Sequence, residues 1–174
     1  IHRYVDPTVR FDPHWQFVAV GGDYRFGLRS DKRGAKVDLD FLGTRVELIH
    51  GAGTGDAWGV IYPDSNRPHG LAGVEIDGRP APALDGAVWI DAAGRAVLDT
   101  SRDGRTIVAR GLPPGRHRLT LTNLGQPRQP GGGTMVTVVE FLVASEIPGS
   151  DAQQEAWRMA DAVRGSDAWR QRAA

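Results

Sequence analysis

Apolar and polar residues alternate through most of the chain between Trp15 and Ala144. In the segment AKVDLDF at 35–41, the odd positions are apolar and the even positions are charged. The same period of two occurs at 44–50, 71–77, 105–110, 117–122 and 134–144, and in shorter form at 15–19 and 24–28. A period of two is typical of a β-strand that buries one face and exposes the other.

Turn-forming residues separate these segments. They are Gly21-Gly22, Leu42-Gly43, Asp77-Gly78, Asp103-Gly104, Pro113-Pro114-Gly115 and Gly131-Gly132-Gly133. Short strands at nearly even spacing, with no helical period between them, favour an antiparallel sandwich or barrel. We therefore predict an all-β fold, in which His117, Leu119 and Leu121 share the core face of one strand.

The period changes after Ala144. Ser150 is a candidate N-cap with Gln153 three residues later, and Gly165 is a candidate stop. An apolar stripe with helical spacing lies between them, formed by Ala152, Ala156, Met159, Ala160 and Val163, with Trp157 beside it. We predict an extended N-terminal segment at 1–14, a β-sandwich at 15–148 and a short C-terminal helical appendage at 149–174.

Composition narrows the function classes. The 174 residues suit one domain with a substantial core. Twenty-one basic and 21 acidic residues give a formal net charge of zero, which argues against nucleic acid as a partner. The chain has no cysteine, and no apolar run approaches the length of a membrane span. It starts at Ile1 rather than Met, so we expect it to be a piece of a longer product, with neighbouring domains, whose export signal is not present in this chain.

Several motifs occur in an order that resembles galactose-binding-domain-like jelly-roll modules. They are Phe41, Gly43 and Thr44 at a strand end, Asp77-Gly78 at the next, and Gly111, Leu112, Gly115 and His117 around a turn, followed by a last apolar strand at 134–144. Such modules occur as carbohydrate-binding modules and as N-terminal domains of SGNH-type carbohydrate esterases. The resemblance covers about 15–144 and implies a jelly-roll β-sandwich that serves as a non-catalytic carbohydrate-binding or accessory module of an exported bacterial protein, extracellular or on the cell surface.

The segment 50–70 is the richest candidate for a glycan site. It contains Trp58, Tyr62, Asp64, Asn66, Arg67 and His69, and Trp89 is a further candidate. Aromatic rings stack against the C–H faces of sugars, and carboxylate, amide and guanidinium groups hydrogen-bond the hydroxyls. The alternative is that Trp58 and Tyr62 plug an end of the sandwich. The glycine-rich segment 123–133 is interpreted as a long hairpin loop that contributes to a rim.

Metal sites and catalytic motifs are weakly represented. Loop aspartates at 56, 64, 85, 91 and 103 are the oxygen ligands that calcium takes, and the resemblance implies one structural calcium in many such modules, but no Asp-x-Asp-x-Asp loop is present. The five histidines lack the paired spacing of a zinc site. We therefore predict no cofactor and leave the metal ligands unassigned. No nucleophile elbow, zincin motif or phosphate loop occurs, so we predict a non-enzyme, with an accessory role beside a hydrolase left open.

We expect His117 to pack at the sheet edge and to bond a loop carbonyl.

The alternative to glycan binding is a structural or protein-interaction domain without a small ligand. Trp157, Met159 and Trp169 would anchor a partner in that case, and the termini would support self-association, unless both termini fold back on their own sandwich.

Overall fold

The structure is a computed structural model that describes residues 8–20, 25–50, 70–100 and 104–145. Its twelve strands are β1 (Val9–Phe11), β2 (Gln16–Val20), β3 (Arg25–Ser30), β4 (Lys36–Leu42), β5 (Arg45–His50), β6 (Gly70–Ile76), β7 (Arg79–Pro80), β8 (Val88–Ile90), β9 (Ala96–Asp99), β10 (Gly104–Ala109), β11 (Arg116–Pro127) and β12 (Val136–Ala144). The described residues contain no helix, in agreement with the period of two. The predicted appendage at 149–174 lies outside the described residues.

The strands form two antiparallel sheets. One has the order β1-β4-β11-β6-β9-β8, with β7 paired to β6, and the other has the order β10-β5-β12-β3-β2. The fold is therefore an all-β antiparallel sandwich, as the alternation predicts, and the resemblance implies a jelly roll. Strand β1 pairs with the edge of β4, so part of the N-terminal segment at 1–14 belongs to the sandwich.

The core follows directly from the alternation. On β4 the apolar residues at 37, 39 and 41 are buried, while the charged residues between them face outward. The register aligns Leu119 of β11 with Leu39 on one side and Ile76 on the other, so one row of apolar side chains crosses three strands. Complete burial of a leucine side chain contributes about 1.5–3 kcal/mol, so rows of this kind fix the register.

The turns explain two of the sequence motifs. Asp77 and Gly78 both have positive φ, 53° and 75°, which is the geometry of a two-residue hairpin turn that Asp-Gly favours. Gly43 is required for a different reason. A Cβ at this position would lie 2.8 Å from the carbonyl oxygen of Ala144 and from Cγ1 of Val143, so the chain approaches β12 too closely for a side chain.

Two parts of the fold differ from the sequence prediction. The segment 123–133 is not a hairpin loop throughout, because β11 continues through a register shift to Pro127, which pairs with Gly70. In addition, the short strands β8 and β9 form the far edge of the seven-stranded sheet, in a region where the sequence analysis assigned no strand. Strands of three and four residues are too short to display a period of two.

Candidate functional site

Trp89 lies on the edge strand β8 and is the one predicted site residue within the described ranges. Its neighbour Val88 is buried in the core, so the indole faces the outside of the sheet, where Trp89 pairs with Val97 of β9. The turn before β8 is closed by hydrogen bonds from the backbone N–H groups of Leu84 and Val88 to each other's carbonyls. Trp89 is thus half-buried on a short strand. The backbone of this strand pairs with β9 on one side and is hydrogen-bonded to Leu84 on the other.

Arg128 and Asp99 complete a polar cluster around this indole. The guanidinium carbon of Arg128 lies 5.6 Å from the centroid of the Trp89 ring, and its Nε lies 3.1 Å from Oδ2 of Asp99. Asp99 ends β9, and Arg128 directly follows β11. A cation over an indole at an exposed site contributes about 0.5–1 kcal/mol, so Arg128 is held in place by two weak contacts and keeps further N–H groups for other acceptors.

These residues line a groove of about 490 Å³, which we call the Trp89 groove. Its accessible apolar residues are Leu84 and Ile90, and its polar groups are Asp85, Asp99, Thr106 and Arg128. An aromatic ring beside apolar side chains, with a few fixed donors and acceptors, is the usual composition of a small-molecule site, and the volume lies within the usual range.

The segment 51–69 connects to the described fold beside this groove. His50, the last described residue before it, shares a 2.8 Å hydrogen bond between its Nε2 and Oγ1 of Thr106, which lines the groove. Gly70, the first described residue after it, pairs with Pro127 and accepts a hydrogen bond from Oγ1 of Thr100. The two attachment points therefore lie at the same edge of the sandwich as Asp99 and Arg128. The predicted site residues Trp58, Tyr62, Asp64, Asn66, Arg67 and His69 lie outside the described residues.

The outer face of the seven-stranded sheet carries a second concave surface of about 1050 Å³. Here Asp40 accepts hydrogen bonds from Nε of Arg118 at 2.8 Å and from Arg10 at 2.7 Å, and Thr120 donates to Asp38 at 2.5 Å. The hydrogen bond from Arg118 lowers the pKa of Asp40 further than burial raises it, and Arg10 adds to the lowering. The outward arginines of β11 therefore face carboxylates, and this surface is a network of mixed charge rather than a basic strip.

His117 fastens two turns at one end of the same sheet. Its Nε2 lies 2.7 Å from the carbonyl of Pro113, as the sequence predicts, and its Nδ1 lies 2.7 Å from Oδ2 of Asp77. The ring also contacts Phe41, with a centroid separation of 5.6 Å. The hydrogen bond to Asp77, and after it the one to the Pro113 carbonyl, raises the pKa of His117. The side chain is 9% exposed, so His117 has a structural role in this fold.

Within 8–20, 25–50, 70–100 and 104–145, no group of three or more His, Cys, Asp or Glu side chains is placed to hold a metal ion. Across the same ranges, no helix combines the length and the apolar character that crossing a bilayer demands.

Comparison with known proteins finds similarity in structure rather than in sequence. No protein-family model matches the chain, and no curated protein matches its sequence. Among solved structures, a two-domain esterase (CEX) active on acetylated mannans matches with a TM-score of 0.51 and 16% identity over 84% of this chain and 36% of the esterase. The same esterase co-crystallized with mannopentaose gives a TM-score of 0.50 and 14% identity over 86% and 37% of the two chains. The chain therefore spans little more than a third of this esterase.

CsCBM6-3 from Clostridium stercorarium, solved in complex with cellobiose, has a TM-score of 0.38 and 13% identity over 83% of this chain and 92% of its own. The chain has the galactose-binding-like jelly-roll fold. At these identities the likeness concerns the fold, and the function has to be argued from the site.

The sequence analysis named one member of the described groove, Trp89, and missed its partners. Arg128 lies in the middle of the segment 123–133, which the sequence marked as part of a rim, and this was the available signal. Asp99 and Thr106 carried no local signal, because each meets the groove only through pairing with strands distant in sequence.

Proposed function

We propose that the chain is a non-catalytic carbohydrate-binding or accessory module that binds a neutral glycan at the Trp89 groove. The observation that carries the proposal is the indole of Trp89, flanked by the Arg128–Asp99 ion pair in a groove of about 490 Å³. The galactose-binding-like fold supports it, since the esterase that shares the fold acts on acetylated mannans.

The chemistry of the groove favours an uncharged ligand. Asp85 and Asp99 contribute two carboxylates, and Arg128 contributes one guanidinium. Adjacent hydroxyls of a sugar can donate to a carboxylate and accept from a guanidinium at once, whereas a glycan carboxylate would face two like charges. Trp58, Tyr62, Asp64, Asn66, Arg67 and His69 extend this proposed site, because their segment is attached beside Thr106 and Asp99.

We further propose that the module acts outside the cell beside neighbouring domains of a longer chain, a hydrolase domain being the first candidate. Within the described ranges, the imidazole of His50 shares a hydrogen bond with the hydroxyl of Thr106, and His50 is only 5% exposed. A buried imidazole of this kind orients a hydroxyl for binding and has no access to a substrate bond. This arrangement supports a binding role rather than catalysis.

Retention on polysaccharides tests the proposal. The chain is mixed with insoluble mannan, cellulose and xylan, and with the anionic polymer alginate as an insoluble gel. Trp89→Ala, Trp58→Ala and Tyr62→Ala are compared with the wild type, and Leu42→Ala, an exposed residue at the end of β4, is the matched control. We expect retention on a neutral polymer that the aromatic variants lose and the control keeps. Failure to be retained on any polymer would contradict glycan binding and favour a structural or interaction domain.

A further inference from the structure

Aspartate directly precedes glycine at 77–78, 85–86 and 103–104. Such a pair can isomerise: the backbone nitrogen of the glycine attacks the side-chain carboxyl carbon of the aspartate, and one carboxyl oxygen leaves as water together with the amide proton. A water molecule then opens the resulting succinimide, either back to aspartate or to isoaspartate, in which the main chain runs through the side-chain carboxyl. Glycine favours the attack because it has no Cβ to hinder its nitrogen. The reaction needs no oxidant and no further reactant than water.

The fold protects the first of these aspartates. Oδ2 of Asp77 lies 2.7 Å from Nδ1 of His117, and Oδ1 accepts a hydrogen bond of 2.8 Å from the backbone N–H of Arg118. The bond from His117, followed by the one from Arg118, lowers the pKa of Asp77 and so keeps the side chain a carboxylate, the form that the nitrogen attacks more slowly. Because one carboxyl oxygen leaves during the reaction, attack by Gly78 breaks at least one of these bonds.

The second aspartate lies in a turn that offers no such protection. Asp85 is exposed, and its carboxylate has no hydrogen bond or ion pair with any residue that the structure describes. The turn is closed at its flanks, where Leu84 and Val88 exchange backbone hydrogen bonds and the N–H of Ala87 donates to Leu84. At Gly86, which has a φ of 72°, an added Cβ would meet no atom within 4 Å. Attack on Asp85 therefore breaks no contact of its carboxylate with the described residues.

Exposure does not distinguish the two sites, since the Asp77 side chain is itself 49% exposed. The difference between them lies in the hydrogen bonds of the carboxylate. We propose that Asp85-Gly86 is a modification site at which Asp85 converts to isoaspartate in the folded protein, while Asp77-Gly78 is protected by its bonds to His117 and Arg118. Asp103 lies outside the described residues.

The product changes the wall of the Trp89 groove, to which Asp85 belongs. Isoaspartate adds one methylene to the main chain at position 85 and leaves the free carboxylate attached directly to Cα. If the groove binds a glycan, as we propose above, the modification displaces one of its carboxylates. This consequence rests on the proposed function, whereas the isomerisation does not.

Endoproteinase Asp-N measures the conversion, because it cleaves before aspartate and not before isoaspartate. The full chain is incubated in H₂¹⁸O at pH 6 and 37 °C, and samples taken over several weeks are unfolded, digested and quantified by mass spectrometry. We expect cleavage before Asp85 to be lost at least about ten times faster than cleavage before Asp77, since a hydrogen bond to a charged group is worth roughly a factor of ten. The resistant peptide should carry one ¹⁸O atom, from the water that opens the succinimide.

Two matched samples test the cause of the difference. In guanidinium chloride the two rates should become similar, because neither carboxylate then has its folded-state partners. His117→Leu, which has no N–H group to donate from this side chain, should accelerate conversion at position 77 and leave the rate at position 85 unchanged. Far-ultraviolet circular dichroism confirms that this variant is folded, and if it unfolds, the comparison with denaturant decides alone.

Equal persistence of cleavage before Asp85 and Asp77 in the native protein would overturn the proposal. A ratio of the two rates that is the same in native protein and in denaturant would also overturn it, because local sequence rather than hydrogen bonding would then set the rates. A loss of cleavage before Asp85 without ¹⁸O would contradict the succinimide route. Failure of the chain to be retained on polysaccharides would change none of these rates, so this proposal and the proposed function fail separately.

Discussion

Replacing His117 with glutamine tests how the fold fastens the turn at Pro113 to the turn at Asp77. Both ring nitrogens of His117 lie 2.7 Å from acceptors, Oδ2 of Asp77 and the carbonyl of Pro113. Only an imidazolium has two N–H groups to donate, so a neutral ring keeps one of the two bonds. Glutamine is close in size and can donate to one acceptor through its amide, but it carries no charge at any pH.

The magnitude follows from the exposure of the partners. A hydrogen bond to a charged group contributes about 1.5–3 kcal/mol, but the Asp77 side chain is 49% exposed, so we discount this bond to about 1 kcal/mol. Loss of ring packing against Phe41 adds a few tenths, so we expect His117→Gln to lower the free energy of unfolding by about 1–2 kcal/mol at pH 6.

The pH dependence has a defined sign. The folded-state pKa of His117 is raised above its unfolded value, so its contribution is complete below about pH 6.5 and is lost as the pH rises through the folded-state pKa. The same hydrogen bond, with that from the Arg118 backbone, lowers the pKa of Asp77, so the Asp77 contribution is lost only as acid protonates it. The difference between wild type and His117→Gln should therefore be largest between about pH 4 and 6.5 and should shrink toward pH 9.

Urea denaturation of both proteins at pH 5, 6, 7, 8 and 9 measures this difference. Subtraction removes the contributions of the other histidines, which both proteins share. A difference that stays constant from pH 6 to 9 would refute the two-acceptor clamp, as would a His117 pKa at or below 6.5 in an NMR titration.

Three other variants extend these tests. Gly43→Ala should lower the free energy of unfolding by about 1–3 kcal/mol, since its Cβ would meet the Ala144 carbonyl oxygen at 2.8 Å; a loss below about 0.5 kcal/mol in denaturant melts would contradict that close approach. Leu119→Ala should cost about 2–5 kcal/mol in the same assay, and Thr122→Ala, on the outer side of β11, should stay within about 0.5 kcal/mol; equal losses would disprove the register. Arg128→Ala should weaken glycan binding about tenfold in calorimetry through loss of its donor groups, and unchanged affinity would remove Arg128 from the site.

The strands that the sequence predicts are those long enough to show their period. Segments such as 35–41 and 117–122 display three alternations each, and their register is then fixed by rows such as Leu39–Leu119–Ile76. By comparison, β8 and β9 are three and four residues long and are held by pairing with a neighbour, which leaves no local pattern.

The candidate site was predictable to a smaller extent. Trp89 stands out in the sequence because it is a large aromatic residue in a short segment bounded by Asp85 and Asp91. Its partners Asp99 and Arg128 come from β9 and from the end of β11, and they meet only because β11 continues past a register shift to pair with Gly70. Such a meeting depends on strand order, which alternation alone does not specify.

The most direct measurement of the proposed glycan binding is an NMR titration of the isotopically labelled chain with mannopentaose. We expect concentration-dependent shifts of the Trp89 indole N–H and the Arg128 Nε–H resonances, with no shift of the Trp15 indole, which is only 5% exposed. Shifts confined to the Asp40–Arg118 surface, or a Trp89 resonance that stays in place at millimolar mannopentaose and cellohexaose, would contradict binding at the Trp89 groove.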